Sequence, residues 1–254
     1  MNTEKKIALV TGGSRGLGKN MALALARKGI DVLLTYNSNR EAADGAVEEI
    51  RALGQKAQAF QLDTGNTSLF LNFTEEVKAY LTATYNRPNF DFLINNAGTA
   101  LYAPVTEVTE KQIDDIFNIH YKGVFFLTQQ MLPLLNDGGS IINISSGLTR
   151  ITYPGSSVYA SIKGAVEILT RYLAKELGQR KIRVNVVAPG AIETDFGGGR
   201  TRDNQEINAH IASLTALGRV GLPDDIGGVI AFLCTEDAGW INGQRIEVSG
   251  GQAI

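Results

Sequence analysis

Short apolar runs alternate with longer amphipathic segments along the chain. The first run, 7–10, is apolar throughout, and a helical pattern follows it after a cluster of glycines. This alternation repeats and predicts seven strands, at 7–10, 31–35, 57–62, 90–95, 140–144, 182–187 and 245–248. Helices are predicted between them, at 16–28, 41–53, 69–85, 111–135, 156–177 and 223–234.

Regular alternation of strands and helices builds right-handed crossovers between parallel strands. Several of the strands contain consecutive apolar residues rather than an alternating pattern, which is typical of a sheet that is buried on both faces. We therefore expect an α/β fold of the Rossmann type: a doubly wound, parallel, seven-stranded sheet with helices on both faces. The 254 residues suit one domain over 1–254, and an irregular segment at 191–218 predicts a substrate lid.

Composition and charge exclude several classes of function. The formal net charge is −2 and no basic block is present, which argues against a nucleic-acid partner. No apolar run approaches the roughly 20 residues of a membrane-spanning helix, and we expect no signal peptide before the first strand. Cys234 is the single cysteine, so no intrachain disulfide forms; we expect a cytoplasmic location and no metal site.

A glycine-rich turn separates the first strand from the first helix. It has the pattern T-G-x-x-x-G-x-G over 11–18, through Gly12, Gly16 and Gly18. Glycines let the backbone approach a pyrophosphate closely, and the helix N-terminus adds free N–H groups. The alternative is a tight turn that binds nothing. The position at the first strand–helix junction favours a dinucleotide phosphate site.

The spacing differs from G-x-G-x-x-G and resembles that of the short-chain dehydrogenase/reductase family. Further motifs typical of this family span the whole chain, namely Asn95-Asn96-Ala97-Gly98, Ser146, Tyr159-Ala160-Ser161-Ile162-Lys163, Pro189-Gly190 and Val248-Ser249-Gly250-Gly251. The resemblance implies hydride transfer between a nicotinamide and a carbonyl or secondary alcohol, as in the 3-oxoacyl-carrier-protein reductases. It also implies a homotetramer, or a homodimer, that acts on a small molecule.

The residues around the glycine turn predict which nicotinamide binds. Arg15 lies in the turn, and no acidic residue ends the second strand, where an NAD-binding site usually has one. An acid there would repel a 2′-phosphate, whereas arginine binds phosphate well, so we expect NADP(H). Asn37 and Ser38 are expected to add hydrogen bonds, and Asp63 either lies near the adenine or only forms a turn. The cofactor site implied by the resemblance comprises Gly12, Ser14, Arg15, Gly16, Leu17, Gly18, Asn37, Ser38, Asp63, Thr64, Asn96, Ala97, Gly98, Tyr159, Lys163, Pro189, Gly190, Ile192 and Thr194.

Tyr159 and Lys163 are four residues apart and share one face of the predicted helix. A nearby ammonium favours the phenolate, so we expect Lys163 to lower the pKa of Tyr159 and make it a usable acid or base. The resemblance implies that Ser146 holds the substrate oxygen, that Lys163 bonds the nicotinamide ribose and that Thr194 bonds the carboxamide. The alternative is an ordinary amphipathic Tyr–Lys pair.

One position departs from the family pattern. The family carries a catalytic asparagine in N-x-x-G-[VI]-F, and here His120 takes its place in His120-Tyr121-Lys122-Gly123-Val124-Phe125. The resemblance implies a water relay to Lys163 through the main-chain carbonyl, which the substitution preserves. The imidazole is also able to join a relay, since histidine titrates near neutrality. A buried histidine that only packs is the third interpretation.

The substrate is predicted only coarsely. The segments 147–153, 99–102 and 192–214 would give a moderately apolar wall, which suits a small or medium ketone or a 3-oxoacyl group. A nicotinamide-binding regulator without catalysis is one alternative. Another is an enoyl reductase, but those enzymes have six residues between Tyr and Lys, whereas this chain has three. An epimerase or dehydratase would need a further C-terminal domain.

Overall fold

The structure is a computed structural model that describes residues 5–254. Residues 1–4, where we expected no signal peptide, lie outside the described residues. The strands are β1 Ile7–Val10, β2 Asp31–Tyr36, β3 Ala57–Gln61, β4 Phe90–Asn95, β5 Leu135–Ile144, β6 Arg183–Pro189 and β7 Arg245–Val248. The α-helices are α1 Gly16–Arg27, α2 Arg40–Ala52, α3 Phe70–Tyr85, α4 Glu110–Phe117, α5 Gly123–Met131, α6 Ser157–Glu176, α7 Arg200–Asp203, α8 Gln205–Ser213 and α9 Pro223–Leu233.

The seven strands form one parallel sheet in the order β3-β2-β1-β4-β5-β6-β7. The chain winds outward from β1 to β3 and then returns to the other side of β1 at β4. This reversal opens a crevice at the carboxyl ends of β1 and β4, where ligands bind in open α/β sheets. The predicted fold class is confirmed.

Each face of the sheet packs against its own layer of helices. On one face, Met21 and Leu25 of α1 and Ile230 of α9 lie in a core with the side chains of β1 and β2. On the other face, Phe73 of α3 and Leu127 of α5 lie in a second core. Helices on both faces leave β1 and β4 buried at every position, including the polar Asp91 and Asn95 of β4.

The long helix predicted over 111–135 is wrong in its middle and at its end. α4 begins at Glu110, one residue before the predicted start, behind a capping box between Thr109 and Gln112. It then gives way to a π-helical turn at Asn118–Lys122, and α5 ends at Met131. β5 begins at Leu135, five residues earlier than expected, and shifts register against β4 between Phe90 and Phe92. The π-helical turn changes the backbone hydrogen bonding over a single turn, which is too short to alter the hydrophobic periodicity of the sequence.

The irregular segment predicted at 191–218 contains two short helices, α7 and α8. Gly197, Gly198 and Gly199 all have left-handed backbone angles, with φ of 63°, 77° and 74°. Side chains other than glycine rarely adopt this conformation, so the triplet sets the direction in which α7 leaves the sheet. Within residues 5–254, no helix is long and apolar enough to cross a membrane, and no three acidic, His or Cys side chains are grouped as metal ligands.

Candidate active site

A cleft of about 1120 Å³ opens at the carboxyl ends of the central strands. It is lined by the predicted catalytic residues and by the predicted cofactor residues with one exception, since Ser38 is exposed and lies outside the lining. The lining therefore includes Gly12, Ser14, Arg15, Gly16, Leu17, Gly18, Asn37, Asp63, Thr64, Asn96, Ala97, Gly98, His120, Ser146, Tyr159, Lys163, Pro189, Gly190, Ile192 and Thr194.

The glycine turn is built for close packing. Gly12 has a left-handed φ of 64°, and a Cβ on Gly18 would collide with the carbonyl oxygen of Gly12. Thr11 Oγ1 accepts from the N–H of Asn96 at 2.9 Å, and Asn96 Nδ2 donates back to the Thr11 carbonyl at 2.9 Å. Thr35 Oγ1 accepts from the Gly12 N–H at 3.1 Å. These bonds tie β1, β2 and β4 together around a cradle that would fit a pyrophosphate.

Not all of the residues expected near the adenosine end of the cofactor line the cleft. Arg15 stands at the mouth of the cleft and Asn37 lines it, whereas Ser38 does not. Asp63 lines the cleft, but its Oδ1 also accepts from the Gly65 N–H at 2.9 Å, so it forms the turn that the alternative interpretation gave it. The position of Asp63 therefore fits both interpretations, a residue near the adenine and a residue that forms the turn.

Ser146, Tyr159 and Lys163 converge on the cleft from two elements. Ser146 follows β5 and precedes a tight turn; its Oγ accepts from the Leu148 N–H at 3.2 Å, which leaves the hydroxyl proton for another acceptor. Tyr159 and Lys163 lie on α6, and both are buried. The Lys163 ammonium donates to the carbonyl oxygen of Ile144 at 2.8 Å and lies 5.7 Å from the centre of the Tyr159 ring.

The prediction that Lys163 lowers the pKa of Tyr159 is wrong for the protein without ligand. Burial, followed by the charge of Tyr102, raises the pKa of Tyr159 above its ordinary value. Burial lowers the pKa of Lys163 to about 7. Desolvation dominates both groups, since it disfavours the charged form of each. At neutral pH the phenol keeps its proton and the lysine is close to half protonated.

His120 lies in the π-helical turn, fully buried between Gly98 and Tyr159. Its Nε2 lies 2.7 Å from the Thr99 carbonyl oxygen, and its ring meets the Tyr159 ring edge-on at 5.3 Å between centres. A Cβ on Gly98 would collide with the imidazole, so glycine is what allows a histidine here. Within residues 5–254, Nδ1 is buried and has no hydrogen-bond partner.

Burial, together with the nearby Lys163 charge, holds the pKa of His120 well below its ordinary value. The ring is therefore neutral at neutral pH. This corrects the interpretation in which the imidazole relays protons by titrating near neutrality. Nε2 faces both the carbonyl oxygen of Thr99 and, at 3.1 Å, its N–H, so the Thr99 backbone anchors the ring in either neutral tautomer.

The outer half of the cleft has aromatic walls. Tyr102, Tyr153 and Phe196 are each 42–52 % exposed and line it, as does Leu148. The Arg200 guanidinium lies over the Tyr102 ring at 5.7 Å, where a cation is attracted to the ring face. Much apolar surface thus stands open to a ligand next to Ser146 and Tyr159.

Three supporting residues were missed by the sequence reasoning. Thr11 and Thr35 fix the glycine turn, and the Gln252 side chain accepts from the Ala191 N–H at 3.0 Å while lining the cleft. Thr11 is the first residue of the T-G-x-x-x-G-x-G motif, and its hydroxyl could have been recognised as a hydrogen-bonding group of the turn. Thr35 and Gln252 act from other strands and the chain end, which no local pattern connects to the turn.

Comparison with known proteins shows what this architecture is similar to. A family model described as enoyl-(acyl carrier protein) reductase matches residues 12–253. An uncharacterized oxidoreductase of Methylorubrum extorquens is 42% identical, and the match covers 98% of each chain. The chain belongs to the short-chain dehydrogenase/reductase family. A hydroxynaphthalene reductase-like protein, Arp2 of Metarhizium brunneum, is 37% identical over 97% of this chain and 94% of its own.

Solved structures of this short-chain dehydrogenase/reductase family superpose closely on the chain. LugOII, described as a promiscuous reductase that catalyses keto-reduction at C1 during lugdunomycin biosynthesis, has a TM-score of 0.93, 37% identity and 98% coverage of each chain. The angucycline C-6 ketoreductase LanV with bound NADP has a TM-score of 0.93 and 35% identity, covering 98% of this chain and 95% of its own. The predicted family is confirmed.

Proposed function

We propose that this short-chain dehydrogenase/reductase reduces a ketone to a secondary alcohol with NADPH, using Ser146, Tyr159 and Lys163. The observation that carries the proposal is their convergence in one cleft, with a protonated buried phenol beside a serine hydroxyl and a lysine whose pKa is about 7. Ketoreductases among the similar structures, LanV and LugOII, support this reaction class. Three residues between Tyr159 and Lys163 also favour carbonyl over enoyl reduction.

The geometry of the glycine turn after β1 fits a dinucleotide in the cleft. Gly18 has no room for a Cβ, Gly12 takes a left-handed φ, and α1 presents its N-terminal N–H groups to the cleft. Arg15 at the mouth and the absence of an acidic residue at the end of β2 support NADP(H) rather than NAD(H). LanV is described with NADP bound, which agrees with this preference.

Proton transfer is the task of the protein side chains. Bound NADPH supplies the hydride that adds to the carbonyl carbon. Ser146 donates a hydrogen bond to the carbonyl oxygen, and Tyr159 gives that oxygen its phenol proton as the alcohol O–H forms. Lys163 then returns a proton to the phenolate, which its pKa of about 7 permits at neutral pH.

His120 serves as a positioning residue in this proposal. It is anchored to the Thr99 backbone and packs on the Tyr159 ring, so it limits how that ring can turn. Its main-chain carbonyl is the same as in a chain with asparagine there, so the substitution keeps the acceptor that a water relay to Lys163 would use. Neither role needs a charged ring.

Fused-ring aromatic ketones are the substrate class that suits the walls best. Tyr102, Tyr153 and Phe196 give flat apolar surfaces for stacking, and a cleft of about 1120 Å³ exceeds what a small ketone needs beside the cofactor. The similar proteins named for hydroxynaphthalene and angucycline reduction point the same way. This narrows the earlier expectation of a small or medium ketone or a 3-oxoacyl group. The segment 191–218, with α7 and α8, would act as the lid over such a substrate.

Self-assembly into a homotetramer, or a homodimer, is part of the proposal. Two groups of exposed apolar side chains support it, one on α4, α5 and α6 and one near α9. They are Ile113, Phe117, Phe125, Phe126, Ile168 and Tyr172 in the first group, and Phe232 and Trp240 in the second. Exposed apolar patches of this kind are typical of subunit interfaces. We also propose a cytoplasmic location, in keeping with the buried, unpaired Cys234.

The test is a substrate panel with NADPH and with NADH, followed by the absorbance of the reduced nicotinamide. Fused-ring aromatic ketones should react fastest, and Tyr159→Phe should abolish turnover while keeping NADPH binding. Reduction of an enoyl thioester but of no ketone would overturn the proposal. The regulatory alternative predicts a different result. The protein would bind NADPH without reducing any substrate, and the Tyr159→Phe variant would keep its biological role.

A further inference from the structure

Arg15 is already paired in the protein without ligand. Its Nε lies 3.1 Å from Oδ2 of Asp195, a residue 180 positions further along the chain, at the start of the lid. Oδ1 of Asp195 lies 3.2 Å from where a Cβ on Gly16 would stand, so the carboxylate sits directly over the glycine turn. The arginine expected to bind a 2′-phosphate is thus held by an acid from the other side of the cleft.

The neighbouring cations do not compete for Asp195 at hydrogen-bond distance. Lys19 Nζ pairs with Glu49 at 2.7 Å, and Arg202 Nε pairs with Asp203 at 2.7 Å. Both Arg202 and Lys19 lie around the same small hollow as Arg15. The Arg15–Asp195 pair is therefore an ion pair between the lid and the phosphate-binding turn.

A phosphate binds Arg15 more strongly than Asp195 does. The side chains are 69 % and 36 % exposed, and ion pairs so open to water are weak. A phosphate offers more negative charge and can accept two parallel bonds from a guanidinium, which makes the stronger partner. A 2′-phosphate would take Arg15 from Asp195, whereas NADH, which lacks that phosphate, would leave the pair intact.

We propose that Asp195 is a specificity-determining residue that competes with the 2′-phosphate for Arg15 and so weakens the preference of this protein for NADPH over NADH. This inference rests on the proposed NADP(H) function. A 2′-phosphate draws on the same guanidinium that Asp195 contacts through Nε, so NADPH binding weakens the ion pair, and NADH binds without that cost. Removing the carboxylate should therefore improve NADPH binding more than NADH binding.

The test is a pair of fluorescence titrations with NADPH and NADH on Asp195→Asn. We expect the ratio of the two dissociation constants, NADH over NADPH, to rise about two- to five-fold, the range that a weak surface ion pair covers. Repulsion between Asp195 and the pyrophosphate would act on both dinucleotides alike and cancels in the ratio. Asp137→Asn is the matched control: it removes the acid of another exposed ion pair, with Arg180 at 2.7 Å and outside the cleft lining, and should leave the ratio unchanged.

The double variant Arg15→Ala/Asp195→Asn separates this role from a general effect of charge. In the Arg15→Ala background, Asp195→Asn should no longer change the ratio, because no arginine remains to be released. An unchanged ratio in Asp195→Asn, or the same rise with and without Arg15, overturns the inference and leaves the proposed function standing. Asp195→Ser gives a second reading should the asparagine variant misfold. Failure of the parent protein to bind either dinucleotide would instead overturn the proposed function.

Discussion

We predict that Lys163→Met makes the protein without dinucleotide more stable at neutral pH while abolishing its activity. Lys163 is buried, and desolvation lowers its pKa from 10.5 to about 7. Between these two values the unfolded chain binds more protons than the folded one, so the stability of the parent protein rises with pH across this window. The burial cost is greatest near pH 7 and below, and it fades toward pH 10.5.

The magnitude follows from the two pKa values. At about 1.4 kcal/mol for each pH unit, the cost of burying Lys163 is about 4 kcal/mol at pH 7 and about 2 kcal/mol at pH 9. Methionine avoids this cost but cannot donate to the Ile144 carbonyl, a loss of about 1–3 kcal/mol at either pH. The variant should be more stable than the parent by about 2 kcal/mol at pH 7, and this advantage should vanish near pH 9.

The assay is urea unfolding followed by circular dichroism at pH 7, 8 and 9, at one protein concentration and without dinucleotide. In a parallel thermal unfolding experiment at pH 7, 2 kcal/mol corresponds to a Tm difference of about 4–8 °C for a chain of this size. Tyr159 is present in both proteins, so its own titration cancels in the comparison. Lys175→Met, at an exposed position of α6, is the control for losing one lysine. A stability difference that stays the same from pH 7 to pH 9 would refute the reasoning.

Three further substitutions test other parts of the site. Gly18→Ala should abolish NADPH binding in a titration, because its Cβ would collide with the turn, while Gly45→Ala on α2, where nothing lies within 4 Å, should bind normally. His120→Ala should lower kcat about tenfold with an unchanged KM for NADPH, the size of one lost hydrogen bond, and His120→Asn should recover part of it. A His120→Ala variant with the parent's kcat and pH–rate profile would show that the ring only packs. Arg15→Ala should weaken NADPH binding about tenfold and NADH binding little, and equal losses for both would contradict the 2′-phosphate assignment.

The strands and most helices were predictable because their signals are local. An unbroken apolar run marked β1, and consecutive apolar residues marked the middle of β4. The π-helical turn at Asn118–Lys122 was missed. It lies beside Gly123, where a Cβ would collide with the carbonyl oxygen of Thr64, a contact between distant segments that no periodicity contains.

The sequence by itself determined the order of strands and helices through its apolar spacing, and the family through its motifs. The resemblance to that family named most of the residues that line the cleft, but it included Ser38 and missed Thr35 and Gln252. Only the tertiary structure decided the state of those side chains. Burial keeps Tyr159 protonated and Lys163 half charged, and the lid brings Asp195 onto Arg15. Desolvation and contacts between remote residues have no counterpart in linear order, because they arise only when the chain has closed around the site.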